Sequence, residues 1–288
     1  MPELPEVETV RRSLEPAIVG RTIVSAEILH RDVLLNETGL PLTGWKITRL
    51  RRRGKYLLID ANGADTADQT HTVTIVVHLR MTGQLLLDET GSLNRDHVHV
   101  RFGLADNDGN SLIYLLFRDV RRFGRVWYFP GGHEAMQPGL AALGPEPLGD
   151  GWTIPGFKAA LKRRTKTNIK SVLLDQHVVA GLGNIYVDEA LFRAGISPLR
   201  LAAGLSGKQI KELYNAVRTV LEQAIGHRGT SFRDYVDGLN TKGHFQYELK
   251  VYGRAGQPCS VCGRPIIKRR VAGRGTCSCS YCQPDPEN

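Results

Sequence analysis

The chain has 288 residues, of which 41% are hydrophobic, 23% charged and 7% aromatic, a composition that excludes a disordered or fibrous protein. At about 150 residues per domain, the length corresponds to roughly two domains, each able to bury a core. Lys and Arg exceed Asp and Glu by 38 to 29, a formal charge of +9 that suits a polyanion such as nucleic acid, and no apolar run reaches the roughly 20 residues that span a bilayer, so no membrane role is expected.

The start, Met1-Pro2-Glu3-Leu4-Pro5-Glu6, lacks the basic and apolar segments of an export signal, so the chain is expected to remain in a reducing compartment. Val7, Val10, Leu14 and Ile18 form the stripe of an amphipathic helix over residues 6–18, with Pro5 at its first position and Glu6 and Glu8 near its positive end. From residue 21 to about 129, short β-branched and aromatic runs such as 72–77 alternate with turn signals such as Asn107-Asp108-Gly109, which predicts a sheet sandwich. Arg51-Arg52-Arg53-Gly54-Lys55 reads as a basic turn between two of its strands.

Residues 130–151 are rich in Gly and Pro and carry no period, which predicts a linker. Phe157, Leu161, Leu173, Leu191, Ile210, Leu213, Val217 and Leu221 then fall at helical intervals, predicting a helical domain to about Ile225. Gly181-Leu182-Gly183-Asn184 interrupts that pattern, as either a phosphate-binding turn at a helix N-terminus or a plain interhelical turn. Residues 226–243 read as a flexible connection. The expectation is therefore an α+β multidomain chain, with an N-terminal β-sandwich and flanking helix over 1–130, a linker over 131–150, a helical domain over 151–227, a loop over 228–244 and a terminal module over 245–288.

All five cysteines lie in the last thirty residues. Cys259-x2-Cys262 and Cys279-x2-Cys282, sixteen residues apart, have the spacing of one zinc site, and four thiolates close its coordination shell, so the zinc is expected to be structural. Cys277 is read as a non-ligand, because pairing it with Cys282 would overfill the knuckle.

Three blocks, Pro2-Glu3-Leu4-Pro5-Glu6-Val7-Glu8, Gly181-Leu182-Gly183-Asn184-Ile185-Tyr186 and the Cys-x2-Cys tail with Gly273-Arg274-Gly275-Thr276, resemble the formamidopyrimidine-DNA glycosylase family. Arg53-Gly54-Lys55-Tyr56, His78-Leu79-Arg80-Met81-Thr82-Gly83 and Arg121-Arg122-Phe123-Gly124 agree with it in the same order, so the match spans the chain. The resemblance implies a catalytic N-terminal domain, a helix-two-turn-helix domain, a lesion-covering loop at 228–244 and a zinc finger. It also implies a bacterial base-excision repair enzyme, cytoplasmic, nucleoid-associated and monomeric. Such an enzyme removes 8-oxoguanine, preferentially opposite cytosine, and formamidopyrimidines from double-stranded DNA, and it also cleaves abasic sites.

By the same resemblance, Pro2, once Met1 is removed, attacks the sugar C1′ to form an iminium, and β,δ-elimination follows. Glu3 acts as acid and base, Glu6 supports it, and Lys55 is placed with the catalytic residues and on a phosphate. Met81, Arg121 and Phe123 form the wedge that replaces the extruded base, although by composition alone Met81 and Phe123 would be core and Arg121 a solvated charge. His78, Asn184 and Arg274 bind phosphates, and Lys170 lies near the damaged base. The neighbouring Lys162, Arg163, Arg164 and Lys166 read as a solvated helix face without assigned roles.

The chain departs from the family pattern at Val120, where a Pro is usual and whose loss predicts a less rigid turn, and at Cys277-Ser278, where a His or aromatic is usual. Residues 61–71 read as an enlarged connection between strands and 285–288 as a frayed tail. Three other readings compete. An endonuclease VIII-like enzyme for oxidised pyrimidines is disfavoured by the blocks at Pro2–Thr9, Arg121–Gly124 and the loop at 241–254. A non-catalytic damage-binding protein has no need of both Pro2 and Glu3. A zinc-stabilised RNA-binding protein predicts exposed stacking aromatics and no special N-terminus.

Overall fold

In the computed structural model, which describes residues 1–36, 39–64, 70–109 and 111–286, helix α1 (Leu4–Ile18) begins two residues before the expected start. The Glu6 carboxylate reaches back to accept the Glu3 N–H (Oε2···N 2.8 Å), so that Glu3 becomes the N-cap. Leu4, Val7, Val10, Leu14 and Ile18 are buried along one side, which is the stripe visible in the sequence.

Nine strands follow: β1 (Thr22–Ile28), β2 (Leu34–Leu35), β3 (Trp45–Arg53), β4 (Tyr56–Ala64), β5 (Thr70–His78), β6 (Gly83–Asp88), β7 (Val98–Ala105), β8 (Leu112–Asp119) and β9 (Arg125–Pro130). They form one ladder in the order β2-β9-β5-β4-β3-β1-β7-β8-β6. Only β2 and β9 pair in parallel among the pairs described. Strand β1 joins the two halves: it gives Thr22 and Ile23 to β3 but runs beside β7 as far as Ile28, with a register shift after Ile23. Side chains from opposite ends of the ladder, Val126 and Tyr128 of β9 with Leu85 and Leu87 of β6, lie in one core with the α1 stripe. The sheet thus closes on itself as the expected sandwich.

Two registers align the connections between the halves. His78, the last residue of β5, pairs with Arg125, the first of β9, and Gly83, the first of β6, pairs with Asp119, the last of β8. The connections 79–82 and 120–124 therefore cross side by side between the halves of the sandwich, running in opposite directions. The stretch 61–71 is not a loop up to its ends: β4 and β5 stay paired as far as Ala64 and Thr70, because alternation of inward apolar residues continues to Ala61 and Val73. Residues 65–69 of that stretch lie outside the described residues.

The chain folds as two compact units, one of Met1–Ala141 with Arg228–His244 and another of Ala142–His227 with Phe245–Asn288. In the first, the expected linker carries a 3₁₀ turn (Glu134–Met136) and the short helix α2 (Pro138–Ala141). The stretch read as a flexible connection is fastened instead. Val236 packs on Leu86, Val98 and Leu116 at the outer face of β6, β7 and β8, and Leu87 donates to the Gly238 carbonyl (2.8 Å). Buried Asp237 accepts the N–H groups of Leu239 and Thr241, both at 2.9 Å.

The second unit holds α3 (Ile154–Lys162), α4 (Ile169–Leu174), α5 (Asn184–Arg193) and α6 (Gly207–Gly226). Helix α6 starts in a capping box of Ser206 and Gln209, and it buries Ile210, Leu213, Val217, Val220 and Leu221. Strands β10 (Ile267–Val271) and β11 (Arg274–Ser278) form a hairpin beside the cysteines. The tail is not frayed at Asp285, whose carboxylate accepts from Ser197 Oγ and Arg269 Nη1, each at 2.7 Å; residues 287 and 288 lie outside the described residues. Among the described residues no helix is long and apolar enough to cross a membrane.

Candidate functional site

Pro2, Glu3 and Glu6 are all buried at the start of α1, whereas Met1 is half exposed. Glu6 works with both oxygens: besides the Glu3 N–H it accepts the Thr230 N–H on Oε1 at 2.7 Å. The Tyr235 hydroxyl donates to the Glu6 carbonyl at 3.1 Å. Gly229, at φ +77°, fits here because a Cβ would lie 2.8 Å from Glu6 Oε1. Chain segments more than 220 residues apart thus meet on one carboxylate. While Met1 is attached, the Pro2 nitrogen is an amide whose lone pair is delocalised. Removal of the exposed Met1 turns it into a secondary amine beside the Glu3 carboxyl.

Lys55 and His78 come together where the β3–β4 turn, with Gly54 at φ +56°, meets the end of β5. Both are largely buried. The His78 ring stands edge-on to Tyr56 at 4.6 Å, and its Nδ1 accepts the Arg80 N–H at 3.0 Å, which leaves the proton on Nε2. Burial, and then the positive charges of Arg80 and Lys55, pull its pKa down from 6.5 to about 3. The ring is therefore neutral at physiological pH and offers one N–H donor beside an ammonium, an arrangement suited to a phosphate oxygen.

Met81 and Phe123 are not core: each is about half exposed (47% and 48%). Arg121 joins them, with Nη1 3.5 Å from Met81 Sδ and its guanidinium carbon 4.5 Å from the Phe123 ring centroid. The side-by-side connections of the sandwich thus assemble three residues from two places in the sequence into one exposed apolar and cationic group. Exposed Val120 does not loosen the turn, because the following Arg122 N–H is held by the Asp119 carbonyl at 3.2 Å.

Lys170 is fully buried, with Nζ 2.6 Å from Asp188 Oδ1 and 2.7 Å from Thr276 Oγ1. Asn168 caps α4 through the Ser171 N–H (2.8 Å), which sets Lys170 on the first turn facing α5. Asp188 Oδ2 accepts the Cys277 N–H at 2.9 Å, so the ion pair ties α4 and α5 to β11. Burial pushes the Asp188 carboxyl up, to about 6, against the pull of Lys170. Asn184, at the first position of α5, donates Nδ2–H to the Gly275 carbonyl at 2.8 Å. These bonds support the β10–β11 turn, where Ala272 and Gly273 have positive φ and Arg274 projects exposed.

Three supports escaped sequence reasoning. Asp188 and Glu189 are acidic residues inside an otherwise apolar helix, and Glu189 accepts the N–H groups of Lys250, Val251 and Tyr252 at 2.8 to 2.9 Å. Gln176 closes the glycine turn, accepting from Gly181 (2.9 Å) and donating to Leu182 (2.8 Å). The one available signal was two adjacent acids breaking an apolar run; no spacing rule points to Gln176. Lys162, Arg163, Arg164 and Lys166 are exposed, but they do not form a helix face: α3 ends at Lys162 and the other three lie in the connection to α4.

The sulfurs of Cys259, Cys262, Cys279 and Cys282 all lie within 4.8 Å of one another, and Cys277 is outside the group. The Cys259–Cys282 and Cys262–Cys279 separations are 3.8 and 3.4 Å. A tetrahedron with metal–sulfur bonds of about 2.3 Å has edges of about 3.8 Å, so the four residues fit one metal ion. The Cys282 N–H points at Cys279 Sγ at 3.5 Å, a donor that favours the thiolate a metal requires.

Comparison with known proteins agrees with this architecture. Residues 1–126 match the family model of the formamidopyrimidine-DNA glycosylase N-terminal domain, and residues 143–235 that of the formamidopyrimidine-DNA glycosylase H2TH domain. The chain is 45% identical over 287 residues to the formamidopyrimidine-DNA glycosylase of Carboxydothermus hydrogenoformans, covering 98% of this chain and 100% of that one. It resembles the crystal structure of MutM (Fpg) from Thermus thermophilus with a TM-score of 0.83 at 40% identity, covering 99% and 100%. A complex of a mutant Lactococcus lactis Fpg with Fapy-dG-containing DNA gives 0.87 at 38% identity, also covering 99% and 100%.

Three outcomes are expected. Lys170→Met leaves the Asp188 charge buried and unpaired, which costs about 3–5 kcal/mol in urea unfolding; a residue that only contacted a ligand would leave stability unchanged. The His78 ring stays neutral with its proton on Nε2 at pH 5 by ¹⁵N NMR. Because its folded pKa lies below the ordinary 6.5, its contribution to stability is complete above pH 6.5 and is lost as pH falls towards about 3. Cys277→Ser retains one metal per chain by elemental analysis, whereas Cys279→Ser loses it.

Proposed function

The chain belongs to the formamidopyrimidine-DNA glycosylase family, and from that premise we propose that it excises oxidised purines, 8-oxoguanine and formamidopyrimidines, from double-stranded DNA and then cleaves the strand at the abasic site. The observation that carries this reading is the N-terminus: Pro2 and Glu3 lie at the cap of α1, beside a Glu6 held by two backbone N–H groups.

After removal of Met1, the neutral Pro2 amine attacks C1′ as the glycosidic bond breaks, giving up its own proton while the departing base takes one. The C1′–O4′ bond then opens, with Glu3 shuttling protons to O4′ or to the base, and the nitrogen lone pair closes the iminium. The resulting iminium acidifies the C2′ hydrogen, and β- and then δ-elimination breaks the strand on both sides. Glu6 keeps Glu3 at the helix cap and does not itself react. Lys55, His78, Asn184 and Arg274 bind phosphates; the neutral His78 donates Nε2–H and the lysine supplies charge. Met81 and Phe123 fill the space left by the extruded base, and Arg121 hydrogen-bonds to the orphaned cytosine.

The fit of the four cysteines supports zinc, which closes its shell with sulfur and holds the hairpin that presents Arg274. The enzyme acts as a monomer in the bacterial cytoplasm. An endonuclease VIII-like preference for oxidised pyrimidines is the second reading of the same machinery.

The decisive experiment traps the covalent intermediate. Purified protein, lighter than the full sequence by one methionine, is incubated with duplex DNA carrying 8-oxoguanine opposite cytosine and reduced with borohydride. A protein–DNA adduct mapping to Pro2 and absent with undamaged DNA is expected, and Glu3→Gln slows base release by about 10²–10⁴-fold. No adduct and no cleavage by zinc-loaded protein that binds the duplex would overturn the purine assignment; an adduct only with an oxidised pyrimidine would transfer it to the second reading.

A further inference from the structure

The two connections that carry Met81, Arg121 and Phe123 share one buried support that the wedge reading does not include. Asp119, the last residue of β8, is fully buried. Its Oδ1 accepts the Thr82 hydroxyl and the Arg121 N–H (3.1 Å), and its Oδ2 accepts the Gly124 N–H (2.7 Å). Thr82 directly follows Met81, while Arg121 and Gly124 flank the turn that bears Phe123. One carboxylate therefore holds both connections.

The backbone of Asp119 is held as firmly. Its N–H donates to the His97 carbonyl (2.9 Å), and its carbonyl accepts the Arg122 N–H (3.2 Å) and the buried His99 Nε2–H (2.7 Å). Between these anchors, Arg122 sits at φ +54°, a conformation that L-residues rarely adopt and that persists only where the surroundings impose it. Gly124 has no room for a side chain, since a Cβ would lie 2.6 Å from Phe117 and 3.1 Å from Asp119 Oδ2. The turn is thus shaped around the carboxylate. Three donors converge on its two oxygens, and an Asn of the same shape would turn an N–H₂ towards at least one of those donors.

We propose that Asp119 is the positioning residue of the wedge, locking Met81 in register with Arg121 and Phe123 so that the three enter a duplex as one body. It acts on base extrusion and not on bond cleavage. The inference rests on the wedge reading, and the test separates the two.

Asp119→Asn, Thr82→Val and the reference variant Phe123→Ala are each compared with the unaltered protein in three assays. These are single-turnover excision of 8-oxoguanine from a duplex, fluorescence of 2-aminopurine beside the lesion as a report of unstacking, and cleavage of a pre-formed abasic site in single-stranded DNA, where no base pair has to open. Asp119→Asn is expected to slow unstacking and duplex excision together by about ten- to a hundred-fold, and Thr82→Val by about fivefold, as befits the loss of several hydrogen bonds or of one. Single-strand cleavage stays within about twofold in both.

If Phe123→Ala is slow while Asp119→Asn and Thr82→Val match the unaltered protein, the positioning role is overturned and the wedge stands. If Phe123→Ala itself unstacks the duplex at the ordinary rate, the wedge reading falls. Loss of single-strand cleavage in step with duplex excision would make Asp119 a general structural residue and overturn the proposal. Should Asp119→Asn fail to fold, Thr82→Val decides alone: ordinary unstacking overturns the proposal and selective slowing supports it.

Discussion

A carboxylate taken out of water must be met by donors, because leaving it unmet costs more than most single contacts contribute. This chain buries Glu6, Asp119, Asp188 and Glu189, and each sits where segments distant in sequence must converge. Glu6 binds the cap of α1 to Thr230, Asp119 binds one wedge connection to the other, and Asp188 and Glu189 bind α5 to the cysteine-bearing module. The residues of the proposed chemistry and DNA contacts flank each of these points: Pro2 and Glu3, then Met81 and Phe123, then Arg274. The buried acids thus fix the geometry from which the exposed residues work.

That division matters for an enzyme that must open a duplex. Side chains that enter DNA have to be exposed and apolar, and therefore cannot be held by burial in their own core. Their rigidity has to come from the backbone beneath them. The registers His78↔Arg125 and Gly83↔Asp119 bring the two connections alongside each other, and hydrogen bonds to a charged acceptor do the rest. The cysteine module meets a similar problem in another way. Its apolar cluster is small, six buried residues with two partly buried cysteines; the Lys170–Asp188 pair adds a constraint that a larger core would otherwise provide, and the four cysteines are placed so that a metal ion would add another.

The neutrality of His78 has the same origin. Two positive neighbours and burial disfavour its protonation, and the Arg80 N–H commits Nδ1, so only the Nε2 proton remains to be offered. The Nε2–H donor that His78 offers beside Lys55 therefore does not change with pH in the physiological range.

Local periodicity was enough to read α1, the alternating strands, α6 and the metal-ligand spacing, because those features rest on contacts within a few residues or on a turn of set length. The resemblance of short blocks supplied the candidate residues, including Met81 and Phe123, which composition alone would have buried and which are exposed. What the sequence could not carry was which residue meets which across long separations. It gave no sign that Lys170 meets Asp188, Gly275 and Thr276, which come from 18 to 106 residues away. It made residues 61–71 look like an enlarged connection and 226–243 like a flexible one, because cross-strand register and docking on β6–β8 leave no local pattern. It made Val120 look like a weakness, although the carbonyl and carboxylate of Asp119 hold that turn. The sequence by itself determined the elements, the cysteine site and the chemistry available at the N-terminus. Only the tertiary structure decided which side chains are buried together, because an acceptor's donors come from wherever the packed chain brings them.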